Sequence, residues 1–79
     1  MRIRKRLSDI RQRGYVWVYE EFVEGINSVA APVFSKGRLI TAALYVHGPA
    51  YRFPGDDDAE EIGLAVADAG RRLSTALAR

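Results

Sequence analysis

Two apolar, strand-like segments separated by a short polar turn constrain this sequence more than any other feature. The first covers residues 26–34, the second covers residues 39–47, and Lys36-Gly37 lies between them. A glycine-containing turn between two such segments is typical of an antiparallel β-hairpin. Because strand side chains alternate, one face of this hairpin is aliphatic. The other face carries Ser28, Thr41, Tyr45 and His47.

The pairing register decides which of these side chains meet. With Lys36-Gly37 at the centre of the turn, Ser28 is expected to face Tyr45, and Ile26 to face His47. Lys-Gly also suits a type I turn followed by a bulge, which would offset these pairs. In the first of these registers, Ser28 does not lie directly across from His47.

The segments that flank the hairpin predict one further strand and two helices. Residues 15–19 are β-branched or aromatic and predict a strand, on which Tyr15, Trp17 and Tyr19 share the face opposite Val18. We expect these aromatic rings to pack or to contact another subunit. Residues 2–13 carry a narrow apolar stripe on a basic background and predict a helix that ends at Gly14.

A longer helix is predicted over residues 58–77, with one of Asp56 to Asp58 as its N-cap. Its expected buried stripe consists of Ile62, Val66, Ala69, Leu73 and Leu77. The predicted fold is therefore α+β: a three-stranded antiparallel sheet flanked by an N-terminal and a C-terminal helix, in the order α-β-β-β-α.

Composition excludes several classes of protein. The chain has 79 residues, a net charge of +2 and no cysteine, so a small single domain without disulfides or thiolate metal sites is expected. No apolar run approaches the roughly 18 residues that span a bilayer. We expect a cytoplasmic protein that does not associate with membranes.

The polar face of the hairpin has two interpretations. It is either a solvated or protein-contacting sheet face, or a small-molecule pocket formed by a hydroxyl, a phenol and an imidazole. His47 is the only histidine, and a lone imidazole is a poor metal site. Without an oriented nucleophile we expect no enzyme activity, and we expect neither a metal nor a cofactor. The basic residues 2–6 are expected to form a solvated helix face rather than a nucleic-acid site.

Six short motifs follow one another along nearly the whole chain. They include Leu-x-x-Ile-Arg-x-x-Gly-Tyr at residues 7–15, Ala-Ala-Pro-Val at residues 30–33 and Ala-Ala-Leu-Tyr-Val-His-Gly-Pro at residues 42–49. Glu20-Glu21, Gly25-Ile26 and Arg71-Arg72-Leu73 complete the series. In this order and spacing the motifs resemble the C-terminal part of the effector-binding domain of the IclR family of bacterial transcription regulators.

The resemblance implies that residues 1–79 are about half of a GAF-like effector-binding domain. The winged helix-turn-helix domain that contacts DNA in this family would then be absent from this chain. The implied partners are a small organic effector, aromatic or carboxylate in character, and further copies of the protein. Ligand binding would shift the operator affinity of the full-length regulator. The alternative is a free-standing oligomerisation or interaction module that binds neither ligand nor DNA.

Carried over residue by residue, the effector contacts of the family fall on Val18, Ser28, Tyr45 and His47. This sequence departs from the family at these positions. Val18 stands where members often carry an acidic residue, and Ser28, Tyr45 and His47 stand where they often carry Cys and two Ser. The phenol and the imidazole narrow the expected cavity and add hydrogen-bond donors. An anionic or aromatic ligand is therefore expected, held by His47 and Tyr45 with apolar contact from Val18.

Overall fold

The computed structural model describes residues 10, 12–35 and 40–77, except for the side chain of Thr41. It contains strands β1 (Val16–Tyr19), β2 (Ile26–Phe34) and β3 (Ile40–Pro49), followed by helix α1 (Ala59–Leu77). The strands form one antiparallel sheet in the order β1-β2-β3. The predicted α+β fold, with a three-stranded antiparallel sheet and a C-terminal helix, is confirmed.

The beginning of the chain is described only in part. Residues 10, 12 and 13 have helical backbone, and the Gly14 N–H donates to the Ile10 carbonyl at 2.9 Å. Gly14 has a φ of +81°, which is the left-handed conformation expected just after a helix end. The remainder of the helix predicted over 2–13 and the predicted Lys36-Gly37 turn lie outside the described residues.

The observed register of the hairpin differs from the predicted one. Ser28 faces His47 rather than Tyr45, a displacement of two residues along β3, and Ala30 faces Tyr45. A bulge accounts for part of the displacement, because Val33 pairs with Ala42 whereas Phe34 pairs with Ile40. The predicted pairs were therefore wrong.

The predicted faces nevertheless hold. Side chains alternate with a period of two, so a displacement of two residues changes the partners of Leu44, Tyr45 and His47 but leaves these side chains on their faces. Ile40 lies beyond the bulge and pairs with Phe34. β3 also runs two residues beyond its predicted end, and Pro49 pairs with Ile26. Proline is tolerated there because β3 is an edge strand.

Helix α1 packs mainly against β2. The buried cluster beneath it contains Tyr15, Val29, Ala31, Val66 and Ala67, with Trp17 and Phe53 packed against it. Trp17 donates its indole N–H to the Ala59 carbonyl at 2.9 Å, so the aromatic side of β1 also holds the start of the helix. Tyr15 and Trp17 thus serve packing, one of the two roles predicted for the aromatic residues of the segment 15–19.

The buried stripe of α1 is rotated from the predicted one. Its buried members are Gly63, Val66, Ala67 and Gly70, whereas Ala69, Leu73 and Leu77 of the predicted stripe are exposed. A Cβ atom on Gly63 would lie 2.3 Å from the Tyr15 ring, and one on Gly70 would lie 2.9 Å from the Pro32 carbonyl oxygen. The helix therefore turns its glycines toward the sheet, since only residues without a side chain permit this close approach.

Asp58 is the N-cap of α1. Its Oδ1 accepts the backbone N–H groups of Glu60 at 2.9 Å and Glu61 at 3.4 Å. We expect Asp58→Ala to lower the free energy of unfolding by about 1 kcal/mol, because helix N–H groups lose their acceptor. Chemical denaturation followed by circular dichroism measures this change. Asp57→Ala is the matched control, and an equal loss in both variants would contradict the assignment of the cap.

Candidate functional site

The sheet face opposite α1 carries an open cavity of about 240 Å³. All four residues predicted to contact an effector line it, with contributions from each of the three strands. The loop that joins β1 to β2 forms another part of the wall. The lining residues are Val18, Phe22, Val23, Ile26, Ser28, Tyr45 and His47.

The strand register explains why the predicted residues converge. Val18 pairs with Ser28, and Ser28 pairs with His47, so these three residues form one row across the sheet. Tyr45 lies two residues before His47 on β3 and therefore on the same face. Val29 and Ala31, which alternate with Ser28 on β2, are buried on the other face under α1. The packing of the helix on one face thus leaves the other face open.

The three polar side chains of the cavity are connected to one another. The Ser28 hydroxyl lies 2.5 Å from Nδ1 of His47, within hydrogen-bonding distance. The imidazole of His47 stacks on the ring of Tyr45, with 5.7 Å between centroids and 9° between planes. Ser28 is 9% exposed at the base of the group, whereas Tyr45 is 50% exposed at its outer side. The expectation that Ser28 does not lie across from His47 was wrong, because it depended on the predicted register.

The β1–β2 loop supplies cavity residues that the sequence analysis did not identify. Phe22 and Val23 project from this loop, and Phe22 is 72% exposed. Glu20, at a φ of +49°, folds the loop back by accepting the Gly25 N–H on Oε1 at 2.8 Å. The adjacent apolar residues Phe22 and Val23 among three glutamates were the available signal, since a purely solvated loop has no need of them.

The cavity lining has an apolar part and a hydrogen-bonding part. Val18, Phe22, Val23 and Ile26 offer only hydrocarbon, whereas Ser28, Tyr45 and His47 offer hydrogen bonds. Neither a carboxylate nor a lysine or arginine belongs to the described lining. Within residues 10, 12–35 and 40–77, no three His, Cys, Asp or Glu side chains gather closely enough to hold a metal ion.

The Ser28–His47 pair resembles the nucleophile and base of a hydrolase, but its surroundings do not. Ser28 lies on the central strand, which pairs with β1 on one side and β3 on the other. Its neighbouring backbone N–H groups are therefore used in the sheet rather than directed at a developing oxyanion. The arrangement is suited to holding a ligand more than to acyl transfer.

A helix that crosses a bilayer must be both long enough and apolar enough. No helix in the described part of the chain meets both requirements for crossing a membrane.

Comparison with known families assigns the chain. The model of the family described as "Bacterial transcriptional regulator IclR C-terminal" matches residues 1–75. The chain therefore belongs to the IclR family, in its C-terminal regulatory domain, and the resemblance seen in its motifs is confirmed.

Individual relatives agree with this assignment. The chain is 34% identical over 73 residues to the HTH-type transcriptional repressor AllR of Salmonella typhimurium and to that of Escherichia coli K12. The matches cover 92% of this chain and 26% or 27% of those proteins. The chain thus spans about a quarter of the length of the curated relatives it matches. These relatives are bacterial transcription regulators.

Solved structures show the same fold. A transcriptional regulator of the IclR family matches with a TM-score of 0.78 and 26% identity, over 92% of this chain and 41% of that one. HmgR of Pseudomonas aeruginosa matches with a TM-score of 0.74 and 27% identity, over 90% of this chain and 29% of that one. The repressor BlcR of Agobacterium tumefaciens has a TM-score of 0.82 at 18% identity, covering 98% of this chain and 31% of that one, and supports the fold alone.

Proposed function

We propose that this chain is the effector-sensing part of an IclR-type transcriptional regulator. A small organic ligand binds in the cavity formed by Val18, Ser28, Tyr45 and His47, together with the β1–β2 loop. The observation that carries this proposal is the convergence of a hydroxyl, a phenol and an imidazole from adjacent strands on one cavity, on the face that α1 leaves open.

The lining defines the chemistry of the ligand. About 240 Å³ is less than the roughly 300–1,000 Å³ of drug-sized sites, so the ligand is compact. The apolar wall of Val18, Phe22, Val23 and Ile26 receives a hydrocarbon or aromatic body, and the Tyr45–His47 side receives a polar group. A small aromatic or aliphatic carboxylate satisfies both parts of the lining.

The signal passes to DNA through other parts of the regulator. Residues 1–79 form part of the effector-binding domain, and a winged helix-turn-helix outside this chain binds the operator. An effector that binds one conformation of the sheet and the β1–β2 loop better than another shifts the population competent for DNA binding. The regulator acts as a homo-oligomer in the cytoplasm, without catalysis of its own and without a cofactor.

One observation favours the alternative, an interaction module without ligand. Phe22 and Val23 expose much of their apolar surface, and Tyr51 is also exposed. Exposed apolar side chains of this kind also occur at protein interfaces. The alternative predicts association that depends on protein concentration and no saturable binding of small organic acids. The ligand titration below therefore separates the two functions.

We expect a titration with small organic and aromatic acids to show saturable binding that depends on His47 and Tyr45. His47→Ala should weaken the affinity for the tightest binder roughly 10- to 100-fold, because a hydrogen bond to a charged group is lost. Tyr45→Phe should weaken it about 2- to 10-fold. Isothermal titration calorimetry measures both affinities.

Tyr51→Phe is the matched control for Tyr45→Phe, since Tyr51 is strongly exposed and is not part of the cavity lining. Its affinity should equal that of the parent chain. If His47→Ala and Tyr45→Phe also bind with unchanged affinity, the ligand does not occupy this cavity.

A further inference from the structure

We infer that Ser28 is a positioning residue rather than a direct ligand contact. Its hydroxyl donates to Nδ1 of His47 and holds the imidazole as the Nε2–H tautomer, so that the site selects ligands that carry a hydrogen-bond acceptor. The selectivity rests on the proposed function. The state of the imidazole can be tested without any ligand.

The Ser28 hydroxyl forms a hydrogen bond with His47. Ser28 lies on the central strand directly across from His47, and its Oγ is 2.5 Å from Nδ1. At this distance, with the side chain buried in the sheet, the hydroxyl is hydrogen-bonded to the imidazole. Its other neighbour in the row is Val18, which offers only methyl groups. A ligand acceptor would have to break the Ser28–His47 bond to receive the Ser28 proton.

The direction of the Ser28–His47 hydrogen bond follows from the donors and acceptors available to each group. A serine hydroxyl has one proton to donate, whereas a neutral imidazole has one nitrogen that donates and one that accepts. If Nδ1 carried the proton, the hydroxyl proton of the buried Ser28 would have no acceptor on either neighbour in its row. Leaving a buried donor unsatisfied is costly. Donation from Ser28 to Nδ1 avoids this cost and places the imidazole proton on Nε2.

The tautomer of His47 determines which polar groups of a ligand the site can bind. With Nδ1 hydrogen-bonded to Ser28, Nε2–H is the imidazole group left for a ligand. The ring of Tyr45 stacks on one face of the imidazole and helps to hold it in place. The Tyr45 hydroxyl is a second donor in the same cavity. A carboxylate or carbonyl can accept from these donors, whereas an ammonium group has protons to donate and no lone pair to accept with. Sites built on specific hydrogen bonds discriminate strongly against ligands that cannot complete them.

The tautomer is directly measurable because His47 is the only histidine in the chain. A long-range ¹H–¹⁵N spectrum at alkaline pH, where imidazole is neutral, should show a protonated Nε2 and an unprotonated Nδ1 in the parent chain. Ser28→Ala should give a mixture of the two tautomers. Ser28→Thr keeps a hydroxyl on a residue that suits a strand, and it should restore the Nε2–H form. A merely structural role of Ser28 would not produce this pattern.

Selectivity is tested with benzoate and benzylamine, which share a ring and differ in the polar group. The parent chain should bind benzoate more tightly, and Ser28→Ala should reduce the benzoate-to-benzylamine affinity ratio about 3- to 10-fold. Ser28→Thr should retain the ratio. A protonated Nδ1 in the parent chain, or a Ser28→Ala variant with unchanged tautomer and ratio, overturns the inference. An intact Nε2–H tautomer without binding of either probe or of any organic acid overturns the selectivity and the proposed function, and it supports the positioning of the ring by Ser28.

Discussion

Gly63→Ala is expected to destabilise the domain by about 1–3 kcal/mol, although alanine is the better helix former. In an exposed helix interior the same change stabilises by roughly 0.5–1 kcal/mol. Gly63 instead faces the sheet, where an added Cβ would lie 2.3 Å from Cε2 and 2.4 Å from Cδ2 of the Tyr15 ring. Either α1 or the ring must move, and such overpacking typically costs 1–3 kcal/mol. Urea denaturation followed by the fluorescence of Trp17, the single tryptophan, measures the change.

Two further variants isolate the cause. Ala65→Gly lies on the exposed side of α1 and should cost only about 0.5–1 kcal/mol, which reports helix propensity without packing. In a Tyr15→Val background the ring is gone, and the additional cost of Gly63→Ala should fall to near zero. Stabilisation by Gly63→Ala in the parent chain would show that the helix does not lie this close to the sheet.

Val29→Asp is expected to unfold the domain. Val29 is 0% exposed on the central strand, under α1, and a carboxylate there would lose its hydration without gaining a partner. Changes that bury an unpaired charge are among those that exceed 4–5 kcal/mol, which is most of the stability of a small domain. Loss of the circular dichroism of the folded state and of the cooperative denaturation transition reports the result.

The strand partner of Val29 provides the matched control. Val46 lies directly across from it on β3, on the same face of the sheet, but is 39% exposed because α1 packs mainly over β2. Val46→Asp should therefore cost about 1 kcal/mol or less and leave the chain folded, since a carboxylate there keeps its contact with water. Val29→Ala should fold with a smaller, measurable loss of about 1.5–3 kcal/mol. Equal effects of aspartate at positions 29 and 46 would contradict the observed position of α1.

The two faces of the sheet have separate roles. The face that carries Val29 is closed by α1 and provides the stability of the domain. The face that carries Ser28 stays open and holds the candidate site. Since neighbouring residues of β2 point to opposite faces, a single strand serves both tasks. Substitutions at alternate positions along β2 should therefore separate stability from ligand binding.

Alternation along the strands was sufficient to predict the faces. Alternation placed Ser28, Tyr45 and His47 on one face, and the family resemblance added Val18. The structure places all four around one cavity. The prediction of the faces survived a register error of two residues because the period of a strand is two. Element types were also predictable, since β-branched and aromatic runs, turn residues and the aspartates at 56–58 before a helix are local signals.

The tertiary structure decided which side chains contact one another and how deeply each is buried. The Ser28–His47 hydrogen bond depends on a bulge near the turn, and a bulge of one residue leaves little trace in the composition of a strand. The rotation of α1 depends on two glycines, which a hydrophobic pattern counts as neutral although they allow the closest approach to the sheet. Phe22 and Val23 join the cavity only because Glu20 folds their loop back.

The sequence alone therefore determined the three strands and the C-terminal helix of this chain, the family it belongs to and the shared face of Ser28, Tyr45 and His47. The elements and the shared face follow from local chemistry and strand periodicity, and the family follows from the order and spacing of short motifs. Only the tertiary structure decided which side chains touch, because contact depends on distances of a few tenths of an ångström between elements far apart in the chain. The pairing of Ser28 with His47 and the seating of Gly63 on Tyr15 are both of this kind.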